Sequence, residues 1–413
     1  MSNSPRTGPR TGVTVRDPQA AVPGTWRIVA PFGVSFLGDG LSTVALPLLA
    51  FQASRAPFAV GLVAFCRSVP WAFFAPFAGV LADYWDRRRM LVTASALRCL
   101  LLLAVAAALA AGGLGLGALV VVAVLLGVCE VGYDTAAQTV LPSLVPADRL
   151  GSANARLSAV ETLSSHLAGP ALAGLLAALT LGRLTVGTAA VYAVALLLLS
   201  RLRSPRTSPP ENPRVLAGIR EGFGFLWSHR PLRTLTWSTA LGATAYTGWF
   251  AQFTLYAVSP GPMGLSSRAF GVVLAVSAVG SLGAALIVPR LQRAVPTRFV
   301  LVLSSVLVVV GLLLPVAGRA PAFATAGLSV YGAAVVLWNV ASVTYRQQEV
   351  PAHLLGRVTA AYRTVAWGAA PLGALAGGAL GQFLGLNTCL IALAALPLLQ
   401  LPALFRFPRL AAR

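Results

Sequence analysis

Two stretches of this chain, Leu235 to Ser267 and Ala269 to Pro289, carry no charged side chain. Each exceeds the ~20 apolar residues a helix needs to cross a bilayer. Unpaired backbone groups are so costly in hydrocarbon that only helices and closed barrels span membranes. The runs are continuous, whereas a transmembrane barrel would alternate in segments of about ten residues. Charged residues make up 10% of the 413 and hydrophobic residues 57%, with a mean hydropathy of +0.79. A soluble domain carries roughly 25% charge. The chain therefore reads as an all-α polytopic membrane protein.

Breakers between the apolar runs mark about twelve spans, near 27–53, 58–82, 90–111, 115–140, 156–180, 184–202, 233–258, 269–289, 298–318, 321–345, 357–381 and 385–406. Residues 1–26 are polar, lack the apolar core of a signal peptide, and are expected to form a disordered cytoplasmic tail. All 31 of the Lys+Arg residues are arginine, which fits a GC-rich bacterial genome. One set of connections holds Arg87 to Arg89, Arg149, Arg201, Arg230, Arg290 and Arg357 among others, and the opposite set only Arg55, Arg183, Arg268 and Arg319. The positive-inside rule puts the first set, and both termini, on the cytoplasmic side of a bacterial inner membrane. The same dispersal into short loops argues against a nucleic-acid partner, despite the net charge of +20. Cys66, Cys99, Cys129 and Cys389 sit inside apolar runs with no metal or disulfide spacing, so no metal is expected.

The longest connection divides the chain into six-helix bundles at 27–202 and 233–406, with a linker at 203–232 and a cytoplasmic tail at 407–413. Within the linker, SPRTSPPENPR is proline-rich. GIREGFGFLWSHRPLR then places Ile219, Phe223 and Leu226 on one helical face. That pattern suits an amphipathic helix on the inner membrane surface, a solvated connector being the alternative. The halves echo each other: LVPADRLGSANA (144–155) parallels EVPAHLLGRVTA (349–360), each ahead of the fifth span of its half. Parallel duplication of this kind is found in transporters whose site lies at the midplane between the repeats.

Ionisable groups at bilayer depth cost at least ~2.5 kcal/mol each, so each needs a reason. Asp39, Arg67 and Arg98 fall near the middles of spans one, two and three. Glu130 falls slightly inside the centre of span four, and Glu161 nearer the inner end of span five. In the second half Arg363 is the main exception to an uncharged interior. A carboxyl poised between desolvation and a nearby arginine can take up a proton on one face and release it on the other. Asp39 and Glu130 lead as proton-coupling candidates, followed by Glu161, with Arg67 as the tuning cation. Structural ion pairs, Asp39 with Arg67 or Glu130 with Arg98, are the alternative. Span seven carries Tyr246, Trp249, Phe250, Phe253 and Tyr256 at helical spacing, suited either to a large hydrophobic substrate or to packing.

The stretch GVLADYWDRRRMLV, residues 79–92, resembles the loop signature between spans two and three of the major facilitator superfamily. GDGLSTVALPLLAF and VPADRLGSANA resemble its enterobactin- and macrolide-efflux subfamily. Tyr84 stands where that signature usually has a basic residue, and Asp86 where it has glycine. The resemblance implies a cytoplasmic gate in which Gly79 permits close packing and Asp83 meets the N-terminal dipole of span eleven. Arg87 would join Asp83 to an acid on span four, Asp134 being at suitable depth. AGPALAG (168–174) resembles the antiporter signature through Gly169, Pro170 and Gly174, and His166 one turn earlier could join a proton relay. Spans one, four, seven and ten would line the cavity, which adds Trp338, Asn339 and Gln252 to the span-seven aromatics as substrate-binding candidates.

The reading that follows is a proton-coupled exporter of amphipathic small molecules, working as a monomer by alternating access, without a cofactor. Uptake of a siderophore-like ligand and a non-transporting receptor or scaffold are the competing classes. An enzyme is disfavoured: the chain has no metal-binding His-Glu motif and no nucleophile elbow. It has no lysine for a phosphate loop either.

Overall fold

The computed structural model describes residues 25–75, 77–78, 85–145, 153, 156–157, 160–177, 179–202, 215–351 and 354–408. Among these, regular structure is helical apart from a single bridge between Val258 and Leu265. The first half contains helices Thr25–Ala53, Pro57–Phe73, Arg87–Ala110 and Leu116–Leu144, as spans one to four. Span five is a π-helical turn, Thr162–Ala168, running into Gly169–Ala177, and span six is Leu181–Ser200. A helix at Val215–Ser228 stands in the connection between the halves. Spans seven to ten are Arg230–Ala257, Ser267–Ala294, Thr297–Ala317 and Pro321–Glu349. Span eleven is broken into Leu355–Gly368 and Ala370–Leu384. Span twelve runs from Leu386 to Phe405 through a short 3₁₀ segment.

Local chemistry sets the helix ends. Asp86, at the position where the loop signature usually has glycine, is the N-cap of span three: its carboxylate accepts from the backbone N–H of Arg88 at 2.8 Å and Arg89 at 3.3 Å. Thr180 and Ser266 cap spans six and eight in the same way. Among the described residues seven helices are long and apolar enough to cross a membrane. Span seven is not one of them. Its run of Ser, Thr, Tyr and Gln makes it less apolar, which suits a helix that faces a cavity instead of lipid. Large side chains such as Leu100, Phe73, Phe383 and Leu399 are exposed on the flanks, the surface a bilayer would cover.

The cores divide unequally. At the arginine-poor end the halves share apolar clusters, of which the larger crosses most widely. It joins Leu41, Val44 and Leu48 of span one and Ala173 of span five to Trp249, Phe253 and Phe270 of spans seven and eight. At the arginine-rich end the halves keep separate clusters, one around Phe32, Met90 and Tyr133, the other around Leu301, Tyr345 and Val358. Glycine permits the close seal at the shared end. A methyl group on Gly61 of span two would lie 2.7 Å from the Ala374 carbonyl of span eleven, and one on Gly174 of span five would collide with Gly271 of span eight. Among the described residues the molecule is therefore sealed at one end by packing across the halves, while at the other end their apolar clusters stay separate.

Candidate functional site

Between the halves lies a cavity of about 350 Å³, lined by residues from both. The first half contributes a charged wall. Asp39, Arg67, Glu130, Asp134 and Glu161 all reach it. Asp39 is held from behind by Arg98, whose guanidinium lies 3.1 Å from its carboxylate and is 1% exposed. Tyr192 donates to the same carboxylate at 2.7 Å. Arg98 also lies over the rings of Tyr133 and Tyr192, at 5.0 and 5.3 Å from their centroids. Arg67 pairs with Glu130 at 2.8 Å on the cavity surface. The pairing thus exchanges the partners expected from sequence: Asp39 takes Arg98, and Glu130 takes Arg67.

Asp134 and Glu161 are bridged from the other half. Arg363 of span eleven donates to Glu161 at 3.0 Å and lies 3.7 Å from Asp134. Its guanidinium also sits 5.8 Å from the centroid of the Trp71 ring on span two. Asp134 here pairs with Arg363, while the gate expected from sequence, which links Asp83, Arg87 and Asp134, includes residues outside the described ones. Asp134 lies ten residues, or ~15 Å, before the end of its helix at Leu144, and Arg87 begins span three. Gly79 and Asp83 lie outside the described residues. Arg357, at the start of span eleven, pairs with Glu221 of the Val215–Ser228 helix.

The second half contributes an aromatic and hydroxylic wall. Tyr246 and Tyr331 stack with centroids 4.6 Å apart, and Phe250 lies 5.4 Å from Tyr246. Trp338 donates from its indole N–H to the Thr239 hydroxyl at 2.9 Å, and Thr239 shares a 2.6 Å hydrogen bond with the Tyr362 hydroxyl. Asn339, Trp367 and Gln400 complete this side. Trp249 and Phe253 do not line the cavity. They stack on each other at 4.5 Å, fully buried in the seal at the arginine-poor end. One helix face cannot serve both ends, and span seven divides its aromatics between wall and seal. Gln252 donates to the Pro57 carbonyl across the halves at 3.0 Å, in the same seal.

Gly169 and Pro170 follow the π-helical turn. The Gly169 N–H bonds to the Ser164 carbonyl, five residues back, which makes room for the extra residue per turn. Gly169 meets Gly40 of span one, Gly174 meets Gly271, and Pro170 lines the cavity. Glu161 immediately precedes the π turn, so the widened helix aims a carboxylate at the interface. Sequence reasoning does not single out Tyr331, Trp71, Trp367 or Arg363 as cavity residues. Tyr331, Trp338 and Ser342 recur at helical spacing on span ten, and that period could have shown the first of them.

A membrane-embedded cavity between two helical bundles, with ionised groups on one wall and aromatics on the other, defines a carrier for small molecules. The comparisons make the class specific. The Major Facilitator Superfamily family model matches residues 32–374, and the chain belongs to that superfamily. It is similar to the multidrug efflux pump Tap of Mycobacterium tuberculosis, at 31% identity over 89% of this chain and 90% of the relative. Among solved structures it resembles the nucleoside transporter NupG, with a TM-score of 0.69 at 15% identity, covering 93% of this chain and 98% of that one. It also resembles a bacterial homologue of the iron transporter ferroportin in an inward-facing state, with a TM-score of 0.68 at 16% identity and coverage of 94% and 98%. These likenesses establish the fold. The protein is a membrane transporter with a small-molecule substrate, not an enzyme.

Proposed function

We propose that this protein is a proton-coupled exporter of amphipathic small molecules, drugs among them, in a bacterial inner membrane. The observation that carries the reading is the unequal charge of the cavity. Four carboxylates, Asp39, Glu130, Asp134 and Glu161, face three guanidiniums, those of Arg67, Arg98 and Arg363. Asp39 and Glu130 are matched one to one, so the surplus negative charge falls on Asp134 and Glu161, which share Arg363. A proton or a cationic group neutralises it. The two ligands then compete for one site, as antiport requires. The aromatic wall of Tyr246, Phe250, Tyr331 and Trp338 offers stacking surface to the substrate body. The similarity to Tap supports drugs as substrates.

In this reading the arginine-rich end is cytoplasmic, with both termini inside, and the cavity of the described state communicates with the cytoplasm. The Val215–Ser228 helix belongs to a cytoplasmic linker at 203–232 that joins bundles 27–202 and 233–406, and the monomer is the working unit. Asp83 and Arg87 belong to the latch that closes the inner end, with Gly79 allowing its close packing. Glu161 replaces Asp39 as the leading proton carrier, because the Asp39 carboxylate is saturated by Arg98 and Tyr192. The test is transport by the purified protein in proteoliposomes under an imposed pH gradient. Drug movement opposite to the proton flux is expected. Movement with the proton flux would make the protein an importer, and gradient-independent equilibration would remove coupling.

A further inference from the structure

Arg363 is the one charged residue that the second half places on the cavity wall among the described residues, and the carboxylates and indole it meets there belong to the first half. Glu161 accepts its hydrogen bond, Asp134 lies 3.7 Å away, and the Trp71 ring lies beside the guanidinium. Two carboxylates and an indole are the groups that bind a substituted ammonium or guanidinium from solution. The site also lies inward of the shared apolar seal, where the two halves otherwise keep separate cores.

We propose that Asp134, Glu161 and Trp71 form a cation site of the transported molecule, and that Arg363 is an internal cation that occupies it when no substrate is bound. The inference rests on the exporter reading and adds a mechanism to it. While Arg363 is seated, it ties span eleven to spans four and five across the cavity. An incoming organic cation takes the carboxylates and frees Arg363. The charge that tied the halves is then carried by the substrate instead of by span eleven. A proton on Glu161 leaves Arg363 held by Asp134 alone and so loosens it. Occupancy of the site and release of Arg363 are thereby one event, and a molecule without a positive charge cannot dislodge Arg363.

The test is equilibrium dialysis of the purified full-length protein in detergent against tetraphenylphosphonium, with neutral triphenylmethanol as the control. Arg363→Gln is expected to bind the cation at least about tenfold more tightly than the wild type, the scale of one charge-assisted hydrogen bond. Arg363→Lys should stay within about threefold, since it keeps a competing charge. Adding Glu161→Gln to Arg363→Gln should abolish the gain, and triphenylmethanol binding should change in none of them. Equal or weaker cation binding by a well-folded Arg363→Gln overturns the proposal. Should that variant not fold, Glu161→Gln alone decides it: cation affinity must fall by about tenfold, and an unchanged value overturns the assignment. Wild-type transport in proteoliposomes separates the two levels. Intact drug export without the affinity changes removes only the role of Arg363, whereas no export removes both readings.

Discussion

The two halves echo each other in sequence yet present opposite chemistry to the cavity. The first half offers Asp39, Arg67, Glu130, Asp134 and Glu161, with Arg98 behind them; the second offers Tyr246, Phe250, Tyr331, Trp338 and hydroxyl groups. Spans five and eleven both carry a proline, Pro170 and Pro371, one helical turn out of register with the sequence echo that precedes them. The helical frame tolerates divergence at the wall because cavity-facing side chains are not held by packing. The difference fits the proposed division of labour, with proton and cation sites in the first half and most of the aromatic contact surface in the second, and Arg363 as the second half's reach across.

The largest effects should come from residues that hold each half's frame. Arg98→Ala leaves the Asp39 carboxylate buried without its cation, which should cost about 3–5 kcal/mol of stability. Trp249→Ala should cost about 3–5 kcal/mol by opening a cavity in the shared seal. Thermal unfolding in detergent and membrane expression measure both. Wild-type stability for Arg98→Ala would break the comparison at its base, since charge would then not organise the first half.

Coupling comes next. Glu161→Gln should lower pH-gradient-driven export by at least about tenfold while drug exchange without a gradient continues, because its surplus charge is the one a proton neutralises. An unaltered dependence of export on the imposed gradient would remove the division of labour between the halves.

Smaller, substrate-dependent changes are expected from the second half. Tyr246→Ala or Tyr331→Ala removes an aromatic face from the wall, and at about 0.5–1.5 kcal/mol per stacking contact affinities should fall roughly twofold to tenfold, unequally among drugs. The pH dependence of export should not move. A comparable effect is expected of Trp338→Phe, which removes one hydrogen bond to Thr239 worth about 1 kcal/mol. Relative resistance across a drug panel reads these changes, and a uniform loss for every drug would assign the residues to packing.

Some of the site could be read before any coordinates. Asp39, Glu130 and Glu161 stand out because an acid inside an apolar run is rare, and each reaches the cavity. Their partners could not be read, because which arginine faces which acid depends on helix rotation. Residue count places Arg67 and Arg98 at similar depth, and only packing puts Arg98 behind Asp39. Likewise the aromatics of span seven share a period, but the period does not say where the cavity ends and the seal begins. Tyr246 lines the cavity, Trp249 and Phe253 lie in the seal, and Phe250 belongs to both.

By itself the sequence determined that this chain is a helical membrane protein, because charge-free runs of bilayer length have no other stable environment. It also determined the depth of each buried charge, since depth along a helix follows from residue count at a fixed rise. Tertiary structure decided the azimuth of each side chain and the distance between halves. Those choices gave Arg363 its two carboxylates, paired Asp39 with Arg98, and sealed one end through Gly61 and Gly174. The physical reason is that such contacts join residues far apart in the chain, and their energies depend on a few ångströms that linear spacing does not specify.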